Sequence, residues 1–337
     1  MDDEYFDALA KVRMERAAEL LDDAKDMLSK GSYKSANNRY CRKIIERNHI
    51  RKEKEMTKNY RAELTGVFGD PVDENPTGVV EEAAFQAKNL NYRYLTIKVL
   101  PDDLEAAMAS VRVLGMKGIN LTMPHKVKVL PYLDELSEAA GIIGAVNTVI
   151  HRDGKLYGEN TDGKGFVTAL KNTGTTLIDK RVTVLGAGGA ARAIAVECAL
   201  NGAKHINIIN RNEERGRELA ALLNEKTKCP ADFLVWEKGI RIPEDTEILI
   251  NGTSAGFSPN VTEKPDIAYD SVTEKMCVCD VVFNPAETVF LSEVAKRGAK
   301  TVSGLGMLVQ QAALNFTLWT GVEAPVEVME EALRKEF

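Results

Sequence analysis

The chain is 337 residues long, enough for two domains that each bury a core of their own. Its 44% hydrophobic and 28% charged residues are ordinary for a soluble globular protein, and a formal net charge of −6 argues against nucleic acid as its main partner. No apolar run is long enough to span a membrane, residues 1–30 are charged throughout, and the five cysteines form no framework, so a cytoplasmic protein with structural free thiols is expected.

In residues 1–60, Val12, Met14, Ala17, Leu20, Leu21, Ala24 and Leu28 recur at helical spacing, with charged residues filling the gaps. Gly31-Ser32 ends that helix, and a second, basic one is expected over about 34–56. This predicts a helical N-terminal extension used for packing or oligomer contacts, which leaves room for a homodimer. From Leu64 the pattern changes. Apolar strands are expected at 64–68, 92–99, 118–122 and 145–150, with helices at 79–88, 103–115 and 126–143 between them. A second alternating unit begins near Gly163, with strands at 181–185, 205–209, 233–235, 248–251, 276–281 and 300–302. Two amphipathic helices, 307–320 and 326–335, close the chain and are expected to fold back on the first unit. The alternation predicts an α/β protein built from two doubly wound, mostly parallel units.

Three segments carry candidate chemistry: Asn120-Leu121-Thr122-Met123-Pro124-His125-Lys126, Gly144-Ala145-Val146-Asn147-Thr148 and Asn160-Thr161-Asp162-Gly163. They supply a lysine, a carboxylate and several amides and hydroxyls near the ends of predicted strands. Such groups can grip a small polyhydroxylated molecule and move a proton on one of its oxygens. Further on, strand 181–185 runs into Gly186-Ala187-Gly188-Gly189-Ala190 and an alanine-rich helix. Glycines there let the backbone approach a pyrophosphate, and free helix N–H groups point at the anion. Residues 163–303 therefore read as a Rossmann-type dinucleotide-binding domain, inserted into a substrate-binding catalytic domain of residues 61–162 and 304–337. Hinges are expected near 161–165 and 304–307. After the second strand of the unit come Asn210-Arg211 and, one turn on, Arg215. Two guanidinium groups suit the 2′-phosphate of NADP, while Glu213 and Glu214 blunt the positive field and leave NAD open. The four histidines are scattered without metal-ligand spacing, and no metal is expected.

Together with Asn251-Gly252-Thr253-Ser254 and Gly304-Leu305-Gly306-Met307-Leu308-Val309-Gln310-Gln311, these motifs resemble the shikimate/quinate dehydrogenase family over roughly residues 62–337. The resemblance implies that Lys126 and Asp162 are the catalytic pair. It implies that Asn120, Thr122, Asn147 and Gln311 contact the substrate, that Thr253, Gly304 and Met307 serve the cofactor, and that His125 is structural. The start of the extension, Arg13–Tyr40, also faintly resembles a HEPN-type helical domain.

Two departures from the family pattern concern the substrate carboxylate. Where relatives carry His-Ser-x-Ser-Pro, this chain has Glu74-Asn75-Pro76-Thr77-Gly78, and a family tyrosine has become Phe283. Asn75 and Thr77 still donate hydrogen bonds, but Glu74 would add a negative charge and Phe283 lacks the phenolic donor. A hydrogen bond to a charged group contributes roughly 1.5–3 kcal/mol, so these changes could cost shikimate about two to three powers of ten in specificity. The expected activity is NADP-linked hydride transfer at a ring hydroxyl of shikimate or a close cyclic polyol. Two alternatives stay open: an NAD-linked quinate or cyclitol dehydrogenase, and a non-catalytic ligand-sensing module.

Overall fold

The computed structural model describes residues 60–336. Apart from Tyr60, the helical extension expected over residues 1–60 lies outside the described residues.

The first sheet grows from β1 (Glu63–Gly69), whose last five residues are buried on both faces, as a strand between parallel neighbours requires. β1 pairs in parallel with β2 (Tyr92–Lys98) and β3 (Gly118–Leu121), reached through α1 (Thr77–Ala87) and α2 (Leu104–Val113). The helix expected over 126–143 is broken into pieces. α3 (His125–Lys128) is followed by a single tight turn at 130–132, the two-residue strand β4 (Glu135–Leu136) and α4 (Glu138–Ile143). Pro131 cannot donate to a helix ladder, and Ser137 starts α4 afresh by accepting the Ala140 N–H at 3.1 Å.

The expected strand 145–150 begins only at Thr148, as β5 (Thr148–Arg152), and turns back into β6 (Lys155–Glu159). Asp153 (φ 52°) and Gly154 (φ 76°) make the two-residue turn, with the twist such hairpins favour. As a result the sheet is mixed, with β3–β5 and β5–β6 antiparallel, in the order β2-β1-β3-β5-β6-β4.

α5 (Thr161–Asn172) leads to the second sheet. Its strands are β7 (Arg181–Leu185), β8 (His205–Asn210), β9 (Ala231–Val235), β10 (Ile248–Asn251), β11 (Cys277–Asp280) and β12 (Lys300–Val302). All are parallel, in the order β12-β11-β10-β7-β8-β9, connected by α6 (Gly189–Leu200), α7 (Glu213–Lys226) and α8 (Val289–Ala295) among others. Cys198, Cys229, Cys277 and Cys279 are free and buried.

The last two helices, α9 (Gly304–Thr320) and α10 (Val326–Arg334), return to the first sheet. Leu305, Val309, Phe316, Trp319, Met329 and Leu333 share a core with Val67, Val80, Phe85 and Tyr94. Phe85 and Phe316 stack with centroids 5.5 Å apart, and the buried Trp319 indole N–H donates to the Val149 carbonyl at 3.0 Å. The two segments expected as hinges, 161–165 and 304–307, form the first turns of α5 and α9.

Gly118 makes that return possible. A Cβ there would lie 2.1 Å from Trp319 Nε1 and 2.2 Å from the Val149 oxygen, displacing the indole from its acceptor. Overpacking of this kind costs about 1–3 kcal/mol. Gly118→Ala should therefore melt several degrees below the parent in a circular-dichroism scan, and an unchanged midpoint would show that the indole moves freely.

Candidate active site

β1 and β3 end, and β5 begins, at one edge of the first sheet, because β5 runs antiparallel to β3. That edge and the first turns of α5 and α9 enclose a cavity of about 300 Å³. All nine residues expected to touch substrate or move a proton line it: Lys126, Asp162, Asn75, Thr77, Asn120, Thr122, Asn147, Gln311 and Phe283. Ala190, Gly304 and Met307, expected on the cofactor side, line the same cavity.

Lys126 sits on α3, just after Pro124, and Asp162 lies in the first turn of α5, where the helix N-terminus favours negative charge. Their side chains meet at 2.7 Å between Nζ and Oδ2, both partly buried. The other carboxylate oxygen, Oδ1, accepts from Asn147 Nδ2 at 2.8 Å. Asn147 is itself locked, since Nδ2 also donates to Thr161 Oγ1 at 3.0 Å and its Oδ1 accepts the Thr161 N–H at 2.7 Å.

Asn120 donates to the Asn147 carbonyl at 3.2 Å and to Thr148 Oγ1 at 3.1 Å, and it accepts from the Tyr94 phenol at 2.8 Å. Beneath them Asn315, fully buried on α9, accepts from Thr148 and Thr161 at 2.8 and 2.9 Å and donates to Gln311 Oε1 at 3.2 Å. The amide N–H groups of Asn120 and Asn147 are thus already donated within the protein. Buried polar networks satisfied in this way hold their members in a single geometry. Sequence reading missed Tyr94 and Asn315, which stand outside the chemical motifs, and passed over Thr148 and Thr161 inside them.

Other expectations change with the geometry. Glu74 is exposed and does not line the cavity, so the repelling charge expected from it is not there. A different acid is nearby. Glu81, one turn after Thr77 on α1, is fully buried, and neither carboxyl oxygen has a hydrogen-bond partner among the described residues. Burial drives its carboxyl well above the usual carboxylate range. The Tyr94 phenol is also raised, chiefly by burial and then by Glu81, with the Thr77 hydroxyl opposing the rise. His125 is buried with Nε2 2.8 Å from the Val99 carbonyl, a structural contact. Phe283 packs edge-on against Phe257 with centroids 5.2 Å apart.

On the second sheet, β7 lies where the strand order reverses, the usual position of a ligand crevice in open α/β sheets. The turn from β7 into α6 passes through Gly186 at φ 104°, a conformation that favours glycine. Ala187 continues the turn, and a Cβ built on Gly188 or Gly189 would meet nothing within 4 Å. That open face below an uncapped helix N-terminus fits a dinucleotide pyrophosphate.

A second cavity, of about 430 Å³, is lined by Arg211, Thr253, Trp236, Lys238 and Lys264 among others. Arg215 does not line it; its backbone N–H instead donates to Asn212 Oδ1 at 2.9 Å, capping α7. Asn210 Nδ2 donates to the Asn212 carbonyl at 2.8 Å, so it shapes the same turn.

Known proteins resemble this chain over much of its length. Residues 67–149 match the shikimate dehydrogenase substrate binding domain, residues 168–259 match shikimate / quinate 5-dehydrogenase, and residues 304–334 match the shikimate 5′-dehydrogenase C-terminal domain. A shikimate dehydrogenase (NADP(+)) of Desulforamulus reducens is 43% identical over 282 residues, 82% of this chain and 97% of that protein. Among solved structures, the ligand-free 5-ketofructose reductase of Gluconobacter sp. strain CHM43 is 43% identical with a TM-score of 0.80, covering 83% of this chain and all (100%) of that one. A shikimate dehydrogenase in complex with NADP+ is 39% identical with a TM-score of 0.77, covering 83% and 97%. With identity at this level across nearly the whole of each relative, the chain belongs to the shikimate/quinate dehydrogenase family.

Proposed function

We propose that this chain is an NADP-linked oxidoreductase, reversibly moving hydride between the nicotinamide and a ring carbinol of shikimate or a close cyclic polyol. For shikimate the reaction is 3-dehydroshikimate + NADPH + H+ = shikimate + NADP+. The observation that carries the reading is the 2.7 Å Lys126–Asp162 pair in a cavity also lined by Ala190, Gly304 and Met307.

The bound cofactor supplies the hydride as NADPH and accepts it as NADP+. The rest belongs to the chain's own residues. In reduction, the Lys126 ammonium gives a proton to the carbonyl oxygen as charge develops there; in oxidation Nζ receives it. Asp162 holds the ammonium through Oδ2, and Asn147 holds Asp162 through Oδ1. Gln311, Thr122 and the remaining acceptor capacity of Asn120 orient the ring hydroxyls. Gly186–Ala190 cradles the pyrophosphate, and Arg211 takes the 2′-phosphate. Residues 61–162 with 304–337 work as the substrate lobe and 163–303 as the cofactor lobe. A sensing module has no need of a linked lysine and carboxylate, so their pairing in the cavity favours catalysis.

The test is absorbance of the reduced cofactor with shikimate, quinate and uncharged cyclitols, each with NADP and NAD. Turnover dependent on NADP is expected, and no turnover of any ring alcohol with either coenzyme would contradict the proposal.

A further inference from the structure

We infer that this cavity selects uncharged polyhydroxy ketones and alcohols over hydroxy acids, and that Phe283 sets the preference. The inference rests on the dehydrogenase reading above and narrows its substrate class.

Among the described residues lining the cavity, Lys126 and Asp162 are the only charged ones, and they neutralise each other at 2.7 Å. A substrate carboxylate would therefore need neutral donors, and the wall formed by residues 75–77 and Phe283 offers only two such side chains, the Asn75 carboxamide and the Thr77 hydroxyl. The Asn75 carboxamide oxygen is committed to the Thr77 N–H at 3.0 Å. The Tyr94 phenol is already donated to Asn120 Oδ1 at 2.8 Å. Phe283 offers only the edge and face of a ring.

An anion held at this wall would be desolvated with no countercharge free to meet it, because Lys126 is already paired with Asp162. A hydroxyl or carbonyl there meets no such opposition. Each missing charge-assisted hydrogen bond is worth roughly 10- to 100-fold in binding. The similarity to a 5-ketofructose reductase is in keeping with an uncharged substrate.

The experiment compares kcat/KM of the full chain, with NADP or NADPH, for shikimate, for shikimamide (an uncharged amide in place of the carboxylate) and for 5-ketofructose. At least one uncharged compound should exceed shikimate by roughly 10-fold or more, mainly through KM. Phe283→Tyr should raise shikimate kcat/KM by roughly 10-fold and leave the uncharged compounds within about threefold. Shikimate turned over better than both uncharged compounds would overturn the inference and leave the dehydrogenase standing. No turnover of any of the three, with NADPH binding intact by fluorescence, would overturn both.

Discussion

Lys126→Ala should lower kcat by about 10²–10⁴-fold while KM for the ring substrate changes only severalfold, the range expected when a positioned acid–base group is removed. The reason lies in when the interaction is made. Nζ meets a neutral carbonyl or hydroxyl in the ground state and an oxygen bearing developing charge in the transition state, so its contribution grows along the reaction. Asp162 accepts from both Lys126 and Asn147, so Asp162→Asn should resemble the lysine variant, with the amine left unanchored. Steady-state kinetics in both directions reads the split. A large KM rise with kcat unchanged would show that Lys126 only binds substrate.

Arg211→Ala should raise KM for NADP by roughly 10- to 100-fold and alter that for NAD by less than about threefold, since the lost contact is a charge-assisted bond to the extra phosphate. Arg211 lines the cavity beyond β8, whereas Lys264 from the same cavity is drawn towards Glu293 at 3.7 Å and over the Tyr269 ring at 4.6 Å. Arg215 lies outside that lining, so Arg215→Ala should leave the coenzyme preference unchanged. Equal losses for the two coenzymes with Arg211→Ala would remove the 2′-phosphate assignment.

The sequence was most legible where a local rule and a chemical motif coincide. The expected strands 181–185 and 248–251 coincide with the observed ones, because largely apolar runs between turn residues suit buried parallel strands. Lys126, Asp162 and the amide residues could be grouped because each sits beside a strand or helix end, and ends of elements at one sheet edge share a cleft. The misreadings have local causes. An apolar periodicity over 126–143 hid the break at Pro131, and the Asp153-Gly154 hairpin signal was passed over, which concealed β6 and the mixed character of the sheet. Arg215 was chosen by charge alone, and its backbone N–H caps α7. Tyr94 and Asn315 could not be found by spacing, since their importance arises only when β2 and α9 are packed around one cavity. Glu74 illustrates the opposite error: its charge was visible in the sequence, but its exposure was not.

The most direct test is the crystal structure of the ternary complex with NADP and a turned-over ring alcohol. The account predicts the reacting hydroxyl oxygen within hydrogen-bond distance of Lys126 Nζ, its carbon facing C4 of the nicotinamide, and the pyrophosphate against Gly186–Ala190. A substrate seated away from the Lys126–Asp162 pair, or a nicotinamide ring that does not reach that cavity, would contradict it.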